Sequence, residues 1–528
     1  MTARSKITAS LVLFFLGFFL VGQASIAIDP WEQGLNKVVS ISSLVKQNYY
    51  EDKDSQKLSF AAIRGMLDTL DPHSYFLDPE SSMRFNEDYT GKYYGLGIQI
   101  QKQEDRLVVI APIEGTPAWR LGIQPGDVIT HIDGVSTKPM SSVEAMQKLR
   151  GEKDTKVTIT IQRESLDKPF DLTITREEIP LASVPYSFMI DESKKIGYIF
   201  VRSFGRNTVD ELEAKLKSLS LAGMTSLILD LRGNTGGPVF QAVDMADEFL
   251  PKGALIVSMR GRNPAYNRDF YASRNGQYEN LPLVILINQG TASASEIVAG
   301  AVMDHDRGLI VGEDSWGKGL VQTVFPLAAD MALALTTARY LTPSGRLIQR
   351  DFSHLEDYYL AKKAPDSQRD VKYTLKKGRR VLGEGGISPD YEVKDTYKVF
   401  TVELMFKGAY FGYGRRFSQH QTPLSKKYVF PQELKTGDAP PPGTKVFDAS
   451  FEVTPEVIED FKAYLDQAKI TYDPARFNEA LDEIKGEIKR EIFSSVVSPE
   501  EGVKVSRQVD PVVLKAIEVM PEAAAFLK

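Results

Sequence analysis

The chain has no cysteine among its 528 residues. Disulfides, thiolate nucleophiles and cysteine–zinc sites are excluded together. A fold in an oxidising compartment must then rest on the size of its core. Histidine is scarce: there are five, and none sits in a motif that would pair it with a nucleophilic serine. HExxH and acidic EF-hand loops are both missing, so no metal and no organic cofactor is implied. Neither sign of charge dominates. The 64 Lys and Arg against 70 Asp and Glu leave −6, with no strong basic block, which argues against nucleic acid as a partner. After the first residues no stretch is long and apolar enough to span a membrane.

Those first residues have a character of their own. Arg4 and Lys6 precede an apolar run from Leu11 to Val21, and Ser25-Ile26-Ala27 offers small residues for cleavage. Residues 1–27 thus follow the signal-peptide pattern. The run is shorter than the roughly 20 residues of a spanning helix, but extending it back to Ile7 approaches that length, so an uncleaved N-terminal membrane anchor stays open. Either way the remainder faces the exported side, periplasmic or otherwise extracytoplasmic. The whole chain is 42% hydrophobic and 25% charged, ordinary for globular protein, and long enough for two to four domains.

Residues 284–323 carry the densest chemistry. Val284 to Ile287 is short and apolar enough for a buried strand. Asn288-Gln289-Gly290 breaks it. Thr291 to Glu296 then leads into Ile297, Val298, Ala301 and Val302, which have helical spacing. A strand at Leu309 to Val311, a glycine-flanked Lys318 and a third apolar run, Leu320 to Phe325, follow. A serine at a strand-to-helix turn lies among unpaired N–H groups at the positive end of the helix dipole, where an oxyanion is stabilised. Glycines let the backbone around Lys318 approach closely. If burial lowers its pKa from about 10.4, the lysine becomes a general base. A plainer reading fits the same residues: Ser293 and Glu296 make a capping box, and Lys318 is a solvated loop lysine.

TASASEIVAGA and GEDSWGKGLVQ resemble the active-site region of the carboxy-terminal processing (tail-specific) serine protease family. The resemblance implies that Ser293 is the nucleophile, that Lys318, 25 residues on, is its base, and that Gln322 holds the lysine. DLRGNTGG at 230–237 is similar to the family's Asp-Leu-Arg-x-Asn-x-Gly-Gly. It implies an oxyanion site of backbone N–H groups from Gly237 or Gly236 and from Ala294. AIRGMLDTLDPHSYFL, TTARYLTPSGR and GGISPD match further family segments, so the likeness runs from about 35 to 395. Asp304 would stand about 16 Å from Ser293 along one helix, too far to orient it, and His305 fails the same test.

Residues 91–178 read as short strands with one helix, Ser142 to Leu149, whose Val143, Met146 and Leu149 share a face. With Gly95-Leu96-Gly97-Ile98, the Pro125-Gly126-Asp127 segment and the Ile132-Asp133-Gly134 hairpin, they resemble a PDZ domain. That implies a terminal carboxylate on the N–H groups of Gly95, Leu96, Gly97 and Ile98. The peptide would add as a strand beside Ile98 to Ile100, against Met146 of the helix. Unfolded or tagged protein C-termini would be the partners. Arg150, ending the helix, either senses the groove or complements the helix dipole.

Residues 259–281 are polar and read as a surface loop. Residues 396–528 match no usable motif. Residues 436–443 form a linker or turn. Thr454-Pro455, Asp473-Pro474 and Asp510-Pro511 are helix starts. Phe477, Leu481, Ile484 and Ile488 form an apolar stripe, through which a homodimer is conceivable. The expectation is an α/β protein: a mixed-sheet Ser-Lys protease core (179–395), an inserted PDZ domain (91–178), a helical N-terminal segment (28–90) and a helical C-terminal appendage (396–528). It would be an exported serine endopeptidase cleaving proteins near their C-termini. A catalytically inactive PDZ scaffold is the rival, and a Ser-His-Asp hydrolase is disfavoured by the histidines.

Overall fold

The Leu283–Ile287 strand has no exposed residue, as a continuous apolar run requires of a strand covered on both faces. In the computed structural model it lies inside a six-stranded mixed sheet. The order is Tyr186–Asp191, Ile196–Phe200, Ser226–Asp230, Leu283–Ile287, Leu309–Gly312 and Tyr391–Glu392. The first pair is antiparallel and the rest are parallel. Successive side chains point to opposite faces. Leu227, Leu229, Leu283, Ile285 and Ile287 pack with the Thr208–Leu221, Val239–Asp247 and Ala294–Asp304 helices. Ile228, Val284, Leu286, Leu309 and Val311 pack instead on Val512, Val513, Ala516 and Met520 of the last helix, Pro511–Ala525.

Residues 29–528 are described, except 165, 329, 361–366, 368, 395–396, 435–439 and 442. The targeting segment and most of the 436–443 linker therefore lie outside the described residues. The chain divides into two units. The smaller holds residues 29–79 with 324–335. It contains the Pro30–Asn48 and Ser55–Leu67 helices and the Tyr75–Leu77 strand, which pairs antiparallel with residues 332–334. Its first helix buries no residue, and Trp31, Val39 and Leu44 are exposed.

The larger unit holds everything else, including the PDZ-like module. That module is a sheet of Ile98–Gln103, Arg106–Pro112, Val128–Ile132, Lys156–Gln162 and Phe170–Thr175, with the two-residue Val135–Ser136 off its path. Strand alternation puts Val157, Ile159 and Ile161 into its core. Ser141 caps the Ser142–Leu149 helix in a two-way capping box with Glu144.

The C-terminal region is helical, and an aromatic-rich core including Phe417, Phe447, Phe461 and Phe493 holds it together. The stripe seen in the sequence is spent there: Phe477, Ile484 and Ile488 are buried within the chain, so a homodimer would need another surface. All three proline-marked starts open helices, at Pro455, Pro474 and Pro511. The expected 259–281 loop instead holds part of a hairpin, Leu255–Gly261 with Arg268–Tyr271. Its second strand is mostly exposed, so no apolar period marks it.

Candidate active site

Ser293 stands between the Leu283–Ile287 strand and the Ala294–Asp304 helix, with φ 56° and ψ −114°. A non-glycine residue adopts that conformation at a cost of about 1–3 kcal/mol, and only where its surroundings impose it. Those surroundings are on both sides. Thr291 Oγ1 donates to the Leu231 carbonyl at 2.9 Å, and the Ala292 N–H donates to the Asn234 carbonyl at 2.9 Å. Ser295 Oγ donates to that same Asn234 carbonyl at 3.0 Å. The turn after the Ser226–Asp230 strand is therefore bolted to the serine turn.

Gly236 lies at this contact. Its φ is 95°, and a Cβ there would come within 2.8 Å of Ala294 N and of Ser293 Cβ, so only glycine fits. The Gly236 N–H is engaged by Asn234 Oδ1 at 2.9 Å. Gly237 follows, also with positive φ. Ala294 is the first residue of its helix, where N–H groups have no intrahelical carbonyl.

Lys318 is half-buried, and its segment meets the serine through a third residue. The fully buried Glu296 takes the Ser293 N–H (2.8 Å) and the Lys318 N–H (2.9 Å) on Oε2, and the Gly317 N–H (2.7 Å) on Oε1. Ser315 Oγ also lies 2.5 Å from Oε1. Burial pushes the Glu296 carboxyl up to about 7 against the opposing pull of these donors. On the carbonyl side, Tyr340 Oη lies 2.6 Å from the Lys318 carbonyl and 3.1 Å from that of Ser293. Tyr340 is buried, and burial holds its phenol well above the ordinary range, so it stays a donor. Gly317, at φ 89°, passes so close to Gly386 that a Cβ would sit 2.8 Å from its nitrogen. Gln322 is on the Leu320–Pro326 strand and donates to Thr336 Oγ1 at 3.1 Å.

Other candidates lie elsewhere. His305 caps the far end of the serine's helix and contacts the Leu255 carbonyl at 2.7 Å. Asp304 is spent on a fully buried ion pair with Arg346 and on Ser344. Sequence reasoning found Glu296 only as a cap for Ser293. Its hold on the lysine segment and the part played by Tyr340 carried no local signal.

In the PDZ-like module the Ile98–Gln103 strand is at the edge of the sheet, paired with Arg106–Pro112. Ile98 and Ile100 are half-buried, and Met146 is 37% exposed on the neighbouring helix. Leu96 is in the module's core, so only its backbone could face a ligand. Gly95 ends the Lys92–Gly95 strand, which pairs with Glu177–Pro180, and Ile98 begins the edge strand; the Leu96-Gly97 link between them is fixed by the Ala118 and Ile113 N–H groups, which donate to the Leu96 and Gly97 carbonyls. Arg150 pairs with Glu87 at 2.5 Å and lies over the Tyr93 ring.

Comparison with known proteins agrees with this layout. Residues 195–354 match the model of peptidase family S41, 108–163 that of a PDZ domain, and 22–81 that of the activating protease CtpB N-terminal domain. A carboxy-terminal-processing protease of Bartonella bacilliformis is 41% identical over 63% of this chain and 78% of its own. The chain belongs to the carboxy-terminal processing serine protease family. It is a serine peptidase with a PDZ domain. The photosystem II D1 C-terminal processing protease structure is 28% identical, covering 68% of this chain and 92% of its own, with TM-score 0.37. The PDZ domain of a Vibrio cholerae carboxy-terminal protease, solved in complex with peptide, is 26% identical over 17% of this chain and 99% of its own, with TM-score 0.16.

Proposed function

We propose that this peptidase works by a Ser293–Lys318 dyad on the exported side of the membrane, and that its PDZ domain recruits the C-termini of its substrates. The observation that carries the dyad is the double tie between the two segments, Glu296 across their N–H groups and Tyr340 across their carbonyls.

In this reading Ser293 Oγ attacks the peptide carbonyl while the neutral Lys318 amine takes its proton. The Gly237 and Ala294 N–H groups receive the oxyanion. Gly237 is preferred to Gly236, whose N–H already serves Asn234. The lysine ammonium returns the proton to the departing amine, and water then hydrolyses the acyl-enzyme by the same route in reverse. Gln322, anchored by Thr336, orients the lysine. A substrate's C-terminal strand adds to the Ile98–Gln103 edge, with its carboxylate on the N–H groups of the Gly95–Ile98 segment and its side chains against Ile100 and Met146. Export rests on the pattern at residues 1–27. Whether those residues are cleaved or kept as an anchor is decided by the mass of the secreted chain.

The test is cleavage of an unstructured polypeptide by the wild type, Ser293→Ala and Lys318→Ala. Both variants should be inactive while still binding a peptide with a free C-terminus. Wild type that binds such peptides but cleaves none would be the inactive scaffold. Full activity in Lys318→Ala would remove the dyad.

A further inference from the structure

Arg232 ties the turn that carries Gly236 and Gly237 to the C-terminal helices. It follows the Ser226–Asp230 strand and immediately precedes Gly233 to Gly237, and its guanidinium is buried. It donates to Asp230, with Nη2 2.7 Å from Oδ2. It also reaches 278 residues along the chain to Asp510: Nη2 to Oδ2 is 2.8 Å and Nη1 to Oδ1 is 3.2 Å. Asp510 is the N-cap of the last helix, taking the Val512 N–H at 2.9 Å. Arg507, ending the preceding helix, donates to Asp510 at 3.0 Å and to Tyr198 Oη at 3.0 Å. Tyr198 Oη donates to Asp230 at 2.6 Å, which closes the ring.

The ring is charge-balanced, with two aspartates and two arginines, and buried charge is tolerated only when paired in this way. Its two halves are far apart in the sequence. Tyr198 and Asp230 are on the sheet and Arg232 is in the turn that follows it, whereas Arg507 ends one C-terminal helix and Asp510 caps the next. Two residues beyond Arg232, the Asn234 carbonyl holds Ala292 and Ser295, and Gly236 has no spare room beside Ser293. A shift of Arg232 would therefore reach the serine turn.

We propose that Asp510, supported by Arg507, is a positioning residue for the peptidase site: the C-terminal helices set the oxyanion turn through Arg232. This rests on the reading of Gly237 and Ala294 as oxyanion donors. The C-terminal region is then a working part of the catalytic unit.

The variant that separates the roles is Asp510→Asn. Asparagine caps helices as well as aspartate does, so with its oxygen on the helix N–H groups the cap survives, while the charge and the second acceptor, which take Arg232 Nη2 and Arg507 Nη1, are lost. We expect kcat to fall about 10-fold or more, since misplacing an oxyanion donor is costly, with KM changed less than about twofold. Affinity for a peptidyl aldehyde, which forms a tetrahedral adduct on the serine, should fall in parallel. Binding of an uncleaved peptide to Ser293→Ala carrying the same Asp510→Asn change should match Ser293→Ala alone. Wild-type kcat in a cooperatively melting Asp510→Asn protein overturns the proposal. If Asp510→Asn gives no cooperative melt, Arg507→Gln is measured the same way, and wild-type kcat there overturns it equally. Cleavage persisting in Ser293→Ala would remove the site reading itself. Ser293→Ala inactive beside fully active Asp510→Asn removes this proposal alone.

Discussion

Ser293 and Lys318 share one acceptor: Glu296 Oε2 lies 2.8 Å from the N–H of the first and 2.9 Å from that of the second. A helix cap is thereby turned into a clamp. Its place in the helix fixes the carboxylate against Ser293, and the carboxylate in turn fixes the loop that carries the lysine. Burial removes the competition from water, and above pH about 7, where the carboxyl is ionised, these hydrogen bonds are charge-assisted as well.

Glu296→Gln tests the clamp. An amide has one acceptor oxygen and presents N–H₂ where the carboxylate presented its second. At least one buried backbone N–H is then left facing a donor, at a cost of about 1–3 kcal/mol. We expect the melting temperature to fall by several degrees and kcat to drop about 10²-fold, with KM nearly unchanged. Tyr340→Phe loosens only the carbonyl side and should show a smaller loss of the same type. A wild-type kcat in Glu296→Gln would mean that the clamp is merely structural.

The same carboxyl makes stability depend on pH. Its folded pKa, pushed up to about 7, is above the ordinary 4.5, so the folded state holds a proton that the unfolded state has lost between those values. Stability from this group is full below about 4.5, declines as pH rises to about 7, and is level above that. The span is worth about 3 kcal/mol. Glu248 is also pushed up to about 7, chiefly by burial, and adds its own slope. The measurement is therefore a difference: urea unfolding of wild type and Glu296→Gln at pH 5 and pH 8. The wild type should lose more stability than the variant over this interval. Equal losses would contradict the raised pKa.

What the sequence made legible follows the range of each interaction. The buried strands, the serine turn, Lys318 between its glycines and all three proline-marked helix starts are local patterns, read from adjacent residues. Asp510 illustrates the limit. Its side chain was readable as a helix cap, because the partners are two and three residues away. Its bond to Arg232 was not, because nothing near either residue points across 278 positions. Tyr340 was hidden for the same reason, and the Arg268–Tyr271 strand because an exposed edge needs no apolar period.

Lys318→Arg asks whether the lysine acts as a base or as a charge. An arginine keeps the cation but cannot give up its proton at working pH. A base would be lost and a structural cation retained. We expect a fall in kcat of about 10²–10⁴-fold, the usual value of a positioned general base, in a protein that melts as the wild type does. Near-full activity in Lys318→Arg would exclude the lysine as base.

The PDZ groove should act on recruitment and leave the chemistry alone. Ile100→Glu places a charge on a half-buried position of the edge strand, whose backbone pairing does not depend on that side chain. Burying that carboxylate under a bound peptide is unfavourable, so the peptide should bind more weakly. For a substrate with a free, apolar C-terminus we expect KM to rise about 10-fold, the effect of about 1.4 kcal/mol, with kcat at saturation unchanged. Amidating the substrate's C-terminus should raise KM in the wild type and add little in the variant, because a peptide that no longer seats in the groove gains little from its carboxylate. If kcat falls instead while KM stays fixed, the domain governs the state of the active site, and the Arg150–Glu87 pair at the base of the groove helix becomes the next residue pair to change.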